Sequence, residues 1–92
     1  MTTRSSEGLD ERRRKLLFRA WHTGIREVDL VLGPFADAHI AAFKNADLDA
    51  FEQMLGEPSP QLLDWVMSER EPDDGGPLVR ELRRFHRDRP KA

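Results

Sequence analysis

The sequence predicts an all-α fold, a compact single-domain bundle of about five short helices, and three observations predict it. Apolar residues recur every three to four positions in several separate stretches. No stretch has the apolar–polar alternation or the β-branched density of a strand. Glycine, proline and small polar residues fall between the stretches, leaving connections of about two to eight residues, the length that helices in bundles use.

Residues 1–8 are rich in Ser, Thr and Gly, have little to bury, and read as a disordered lead-in to a helical-bundle domain over 9–90. From Asp10 to His22, Leu16, Leu17, Ala20 and Trp21 form one stripe of a first helix. Gly24 lies just beyond it, where a glycine can take the left-handed conformation that closes a helix. The second helix is the best patterned, with Ile25, Val28, Leu32, Phe35 or Ala36, Ile40 and Phe43 on one face, so it is expected at the centre of the bundle. Gly33-Pro34 interrupts that run. Proline lacks the backbone donor and clashes with the carbonyl four residues earlier, which predicts a kink or a restart near Gly33.

Asn45 or Asp47 can cap a third helix whose apolar face is Leu48, Phe51 and Leu55, and Gly56-Glu57-Pro58 ends it. Ser59 is a good N-cap for the fourth, with Pro60 at the first helical position ahead of Leu62, Leu63, Trp65, Val66 and Met67. Trp65 reads as core. Glu71-Pro72-Asp73-Asp74-Gly75-Gly76 is a loop, and Pro77 opens a last helix with Leu78, Val79, Leu82 and Phe85 inside.

Composition narrows the function classes. The chain has 92 residues, and one this short buries about 60–65% of its unfolded surface, enough for a single small core. It has no cysteine, hence no disulfide framework and no thiolate for catalysis or zinc. Residues 1–22 carry six basic and three acidic groups, residues 23–77 three and twelve, and residues 78–92 six and two. The acidic middle repels phosphate, so nucleic acid could meet only the basic ends. Arg12-Arg13-Arg14-Lys15 is the tightest basic cluster and reads as a solvated helix face. No apolar run approaches the roughly 20 residues of a membrane span, and the start mixes acids with its arginines, so the chain reads as soluble and unprocessed, without direct membrane insertion.

Catalytic constellations are missing as well. His22, His39 and His86 fall on different predicted helices, so no pair has ligand spacing on one face and no metal site is expected. No serine sits in a nucleophile-elbow pattern, and Gly75-Gly76 is not a strand-to-helix phosphate loop. The many carboxylates are expected as solubilising groups, and an enzyme is not the expectation.

The stretch Thr23-Gly24-Ile25-Arg26-Glu27-Val28-Asp29-Leu30 carries the most information, because polar, glycine and acidic residues break an amphipathic pattern at a helix junction. Gly24 can serve as a helix C′ residue, or as a place where a partner's backbone approaches closely. Glu27 suits the first turn of a helix through the macrodipole and can equally be a contact. Arg26 and Asp29 read as solvent-facing. Thr23 is a reasonable N-cap, so the fold is expected to be indifferent to it.

This stretch resembles the signature of the SdhE family (succinate dehydrogenase assembly factor 2), Arg-Gly-x-x-Glu, keeping Gly24 and Glu27 with Thr23 in place of the arginine. Phe18-Arg19-Ala20-Trp21-His22 before it, Gly33-Pro34-Phe35 after it and Leu62-Leu63-Asp64-Trp65-Val66-Met67 further on resemble the family too, so the likeness spans about residues 12–88. The resemblance implies a five-helix bundle acting as a chaperone-like assembly factor in a bacterial cytoplasm. Its implied partner is the flavoprotein subunit of succinate dehydrogenase, and in some cases of fumarate reductase, whose covalent attachment of FAD it promotes without holding a cofactor stably itself. It assigns partner contact to Gly24 and Glu27, with Thr23, Arg26 and Asp29 beside them. A threonine cannot make an arginine's bidentate carboxylate contact, so Arg19 or Arg26 must supply it or the contact is weaker. Two alternative classes remain: a small helical adaptor or antitoxin-like protein binding another partner through its basic first helix, and a nucleic-acid binder using Arg12 to Lys15, whose affinity would fall steeply with salt.

Overall fold

The computed structural model describes residues 8–70 and 76–88. Most of the expected lead-in and of the Glu71–Gly76 loop lies outside them. Among the described residues five α-helices follow one another: α1 (Glu11–Ala20), α2 (Arg26–His39), α3 (Asn45–Leu55), α4 (Ser59–Met67) and α5 (Gly76–Asp88), with a 3-10 turn at Ile40–Ala42 after α2. No strand occurs among the described residues.

α2 is central, packing against α1, α4 and α5, while α3 lies against α1 and α5. It buries Val28, Val31, Leu32, Phe35 and Ala36, and the 3-10 turn extends the same face with buried Ile40. Of the kink or restart expected near Gly33, the restart does not occur, because α2 runs as one helix through Gly33 and Pro34. Gly33 is there for packing: a β-carbon on it would lie 2.2–2.6 Å from ring atoms of Trp21. The indole therefore fills the space that a side chain would take.

Around Phe35 the core is aromatic. Its ring centroid lies 6.2 Å from Phe43, 6.2 Å from Phe51 and 5.6 Å from Phe85, which joins α2, α3, α5 and the segment after the 3-10 turn. Such tilted and edge-on pairs suit the ring quadrupoles and add to the burial of apolar area. Trp65 is buried as expected, and on α3 Met54 lies deeper than Leu55.

Polar clamps fix the helix ends. Lys44 N–H donates to the Asp47 carboxylate at 3.0 Å, so of the two candidate caps Asp47 acts, from inside the first turn of α3. Arg83 on α5 donates to the carbonyls of Trp65 at 2.6 Å and Ser68 at 2.8 Å, satisfying acceptors at the end of α4. The Arg12–Lys15 cluster, expected as a solvated face, is largely tied down. Arg12 pairs with Asp49 at 2.6 Å and Glu52 at 3.0 Å, while Arg13 donates to the Ile40 carbonyl at 2.9 Å and to that of Phe43. Arg14 donates to the Leu9 carbonyl, and Lys15 pairs with Glu11 at 2.9 Å. Hydrogen bonds from Arg13 and Lys15 hold the Asp10 and Glu11 carboxyls below their usual range. A run of cations adjacent in sequence is here divided among separate neighbours, so most of its donors are engaged within the fold.

No helix among the described residues is long and apolar enough to cross a membrane. Nor does any group of three or more histidine or acidic side chains among them stand ready to hold a metal ion.

Candidate functional site

The corner between α1 and α2 is built by hydrogen bonds that the local sequence only partly announces. α1 closes early, with Trp21 N–H shared between the Leu17 and Phe18 carbonyls at 3.3 and 3.2 Å and His22 N–H on the Arg19 carbonyl at 3.1 Å. Gly24 is therefore not the C′ residue of α1. It has a φ of +103°, which turns the chain into extended Ile25, the N-cap of α2. Thr23, two residues before that cap, is likewise not an N-cap.

Thr23 and Asp29 instead form a latch. One carboxylate oxygen of Asp29 accepts from the Thr23 backbone N–H at 2.7 Å and from its hydroxyl at 2.6 Å. The Thr23 carbonyl accepts from the Ser59 hydroxyl at 3.2 Å, which ties the corner to the first residue of α4. This explains a second departure from expectation, for α4 takes Pro58 as its N-cap while the Ser59 side chain serves the corner. Asp29, expected to face solvent, is a half-buried acceptor in the first turn of α2 that reaches back to the loop before it.

The latch predicts a measurable coupling. Thr23→Val removes one hydrogen bond to a charged acceptor and should cost about 1–2 kcal/mol in urea unfolding, with Asp29→Ala costing at least as much. In a double-mutant cycle the pair should show about 1 kcal/mol of interaction, and strictly additive losses would rule the latch out.

The latch holds three candidate residues outward. Gly24, Arg26 and Glu27 are exposed, a β-carbon on Gly24 would meet nothing within 4 Å, and neither Arg26 nor Glu27 has a partner among the described residues. Leu30, one turn further along α2 and on the same face by helical spacing, is 47% exposed. A rigid corner thus presents a bare backbone, a cation, an anion and an aliphatic side chain together, a combination suited to protein docking. Of the five residues singled out from sequence, three face outward and two hold them in place.

Sequence reasoning missed the Ser59 tether, whose partner lies 36 residues away, and the seating of Trp21 on Gly33. It also passed over the outward placement of Phe18, although that residue lies off the Leu16–Leu17–Ala20 stripe and the helical period alone points it to solvent.

Comparison with known proteins adds to this geometry. A family model described as the flavinator of succinate dehydrogenase matches residues 14–86. The FAD assembly factor SdhE of Acetobacter pasteurianus is 37% identical over 62 residues, 67% of this chain and 57% of that protein. The mitochondrial succinate dehydrogenase assembly factor 2 of Debaryomyces hansenii is 32% identical over 63 residues, 68% of this chain and 44% of that protein. The FAD assembly factor SdhE of Pectobacterium atrosepticum is 34% identical over 56 residues, 61% of this chain and 64% of that protein. Each match spans less than two thirds of the relative's own length. No solved structure matches the chain.

Proposed function

The chain belongs to the SdhE family, the flavinators of succinate dehydrogenase, and from that membership we propose that it is an assembly factor: it binds the flavoprotein subunit of a succinate dehydrogenase and promotes covalent attachment of FAD to that subunit. The observation that carries this reading is the latched corner, which presents Gly24, Arg26 and Glu27 unobstructed on a rigid junction. FAD is the cargo of the partner and not a resident cofactor of this chain.

In this reading the protein is not the catalyst. It binds the attachment-competent conformation of the subunit more tightly than other conformations and raises its population, tenfold for each roughly 1.4 kcal/mol of differential affinity. Backbone exposed at Gly24 lets the partner approach closely, Glu27 accepts hydrogen bonds from it, and Arg26 supplies the cation that the family motif carries at the position of Thr23. Asp29 acts through Thr23 by holding the corner rigid, so little entropy is lost on docking.

The test is incubation of the apo flavoprotein subunit with FAD, with and without this chain, followed by in-gel flavin fluorescence after denaturation. Faster accumulation of the covalent adduct with the chain present is the expected result. No acceleration by folded protein, whether wild type or Thr23→Arg, would overturn the proposal, whereas rescue by Thr23→Arg alone would identify a family member weakened at that position.

A further inference from the structure

Phe18 is the most exposed large apolar side chain among the described residues, at 64%, while Leu16, Leu17 and Ala20 on the same helix are buried. It is also held in place. Its ring stacks on that of His22 with centroids 4.0 Å apart and planes 19° from parallel, and His22 donates from Nδ1 to the Phe18 carbonyl at 2.7 Å. An isolated exposed ring is ordinary, whereas a ring pair fixed one residue before a latched docking corner extends that corner's surface.

The charge around the ring is one-sided. Phe18 borders a shallow depression lined also by Glu11, Arg14, Lys15 and Arg19. Glu11 is neutralised by Lys15 at 2.9 Å, and Arg19 has no partner among the described residues. The surface therefore offers an apolar, preorganised ring beside a free guanidinium, residue types that are enriched at protein interfaces.

We propose that the Phe18–His22 ring pair and Arg19 form a second contact arm of the docking surface, continuous with the Gly24 corner, which inserts the Phe18 ring into an apolar recess bordered by carboxylates on the flavoprotein partner. The inference rests on the proposed function for the identity of that partner, and on this chain's geometry for the residues that meet it. Phe18 supplies buried apolar area on docking, and Arg19 pairs with an acidic side chain at the rim of the recess. His22 acts as a positioning residue, since it fixes the ring before binding and so lowers the entropic cost of ordering it.

The experiment is titration of the apo flavoprotein subunit with the full chain by calorimetry at low and at high ionic strength. Wild type is compared with Gly24→Arg, Phe18→Ala, Arg19→Glu and, as a control for net charge, Arg84→Glu, a change at an exposed residue of α5. Phe18→Ala should weaken binding about tenfold at both ionic strengths. Arg19→Glu should weaken it about tenfold at low salt and much less at high salt. Arg84→Glu should change it less than about twofold. Circular dichroism should be the same for all of them, because neither Phe18 nor Arg19 supports the core. If Phe18→Ala and Arg19→Glu bind as wild type does while Gly24→Arg does not, the second arm is wrong and the proposed function stands. If wild type does not bind, both fall together.

Discussion

On the proposed function, replacing Gly24 with arginine will abolish stimulation of covalent FAD attachment while leaving the bundle folded. Two effects of the substitution separate cleanly. Gly24 has a φ of +103°, so any side chain there strains the backbone by about 1–3 kcal/mol. A domain of this size has a stability of about 5–14 kcal/mol, so most molecules remain native. The side chain itself meets nothing within 4 Å and projects into solvent, so no core contact is lost. A partner docking against bare backbone at that point meets an obstacle several ångströms long and an extra charge, and loses close approach over the whole corner. Gly24→Ala separates the causes, since it carries the same backbone strain without the bulk. Urea midpoints of the two variants should agree to within about 1 kcal/mol of stability, whereas adduct formation should persist with alanine and vanish with arginine. Equal loss in both would place the effect in the backbone of the corner, and full activity of Gly24→Arg would remove Gly24 from the interface.

How far the fold is legible in the sequence depends on where each residue's partner lies. The five helices follow from apolar spacing, because burial of one face is a local periodic property, and Val28, Leu32, Phe35 and Ala36 occupy the face that the period assigns them. Gly24 was legible as a glycine that needs positive φ but not as to why, since α1 is closed earlier by Trp21 and His22 and the glycine serves the turn that follows. Ser59 shows the same limit. Local chemistry offers its hydroxyl as a cap, and a carbonyl 36 residues away takes it instead. Arg12 and Arg13 read as solvated because their partners, Asp49, Glu52 and the carbonyls after α2, come together only in the folded chain.

The candidate site divides in the same way. Gly24 and Glu27 stand out by the break they make in an amphipathic pattern and by likeness to a motif. Arg26 enters only as their neighbour in that stretch, and the structure places it on the exposed face beside them. Asp29 and Thr23 could not be assigned as a latch from their spacing, because two residues six apart across a turn meet only when the turn has its folded geometry. Thr23 thus acquires a structural meaning that sequence alone withholds: its hydroxyl is committed inward.

Gly33→Ala will destabilise the protein by about 2–3 kcal/mol, although helix propensity alone predicts the opposite sign. Alanine in the interior of α2 is favoured over glycine by about 0.8–1 kcal/mol. Against this, the new methyl would lie 2.2 Å from the Trp21 ring, where carbon atoms at rest keep about 3.5–4.0 Å. Gly33 is buried and belongs to a continuous helix, so the backbone cannot yield by that amount, and the indole must leave its seat. Some of the cost returns, because Trp21 Nε1 is buried without a hydrogen-bond partner in that seat and regains one from water on leaving. The decisive measurement is a sign change: in a Trp21→Ala background the methyl has room, and Gly33→Ala should then stabilise the protein by up to about 1 kcal/mol in urea unfolding. If it destabilises equally in both backgrounds, the indole is not what excludes a side chain at Gly33. Function should follow the same coupling. Trp21 lies two residues before Thr23, so its expulsion frees the α1 side of the latched corner, and on the proposed function Gly33→Ala should slow flavin attachment from a buried position outside that corner.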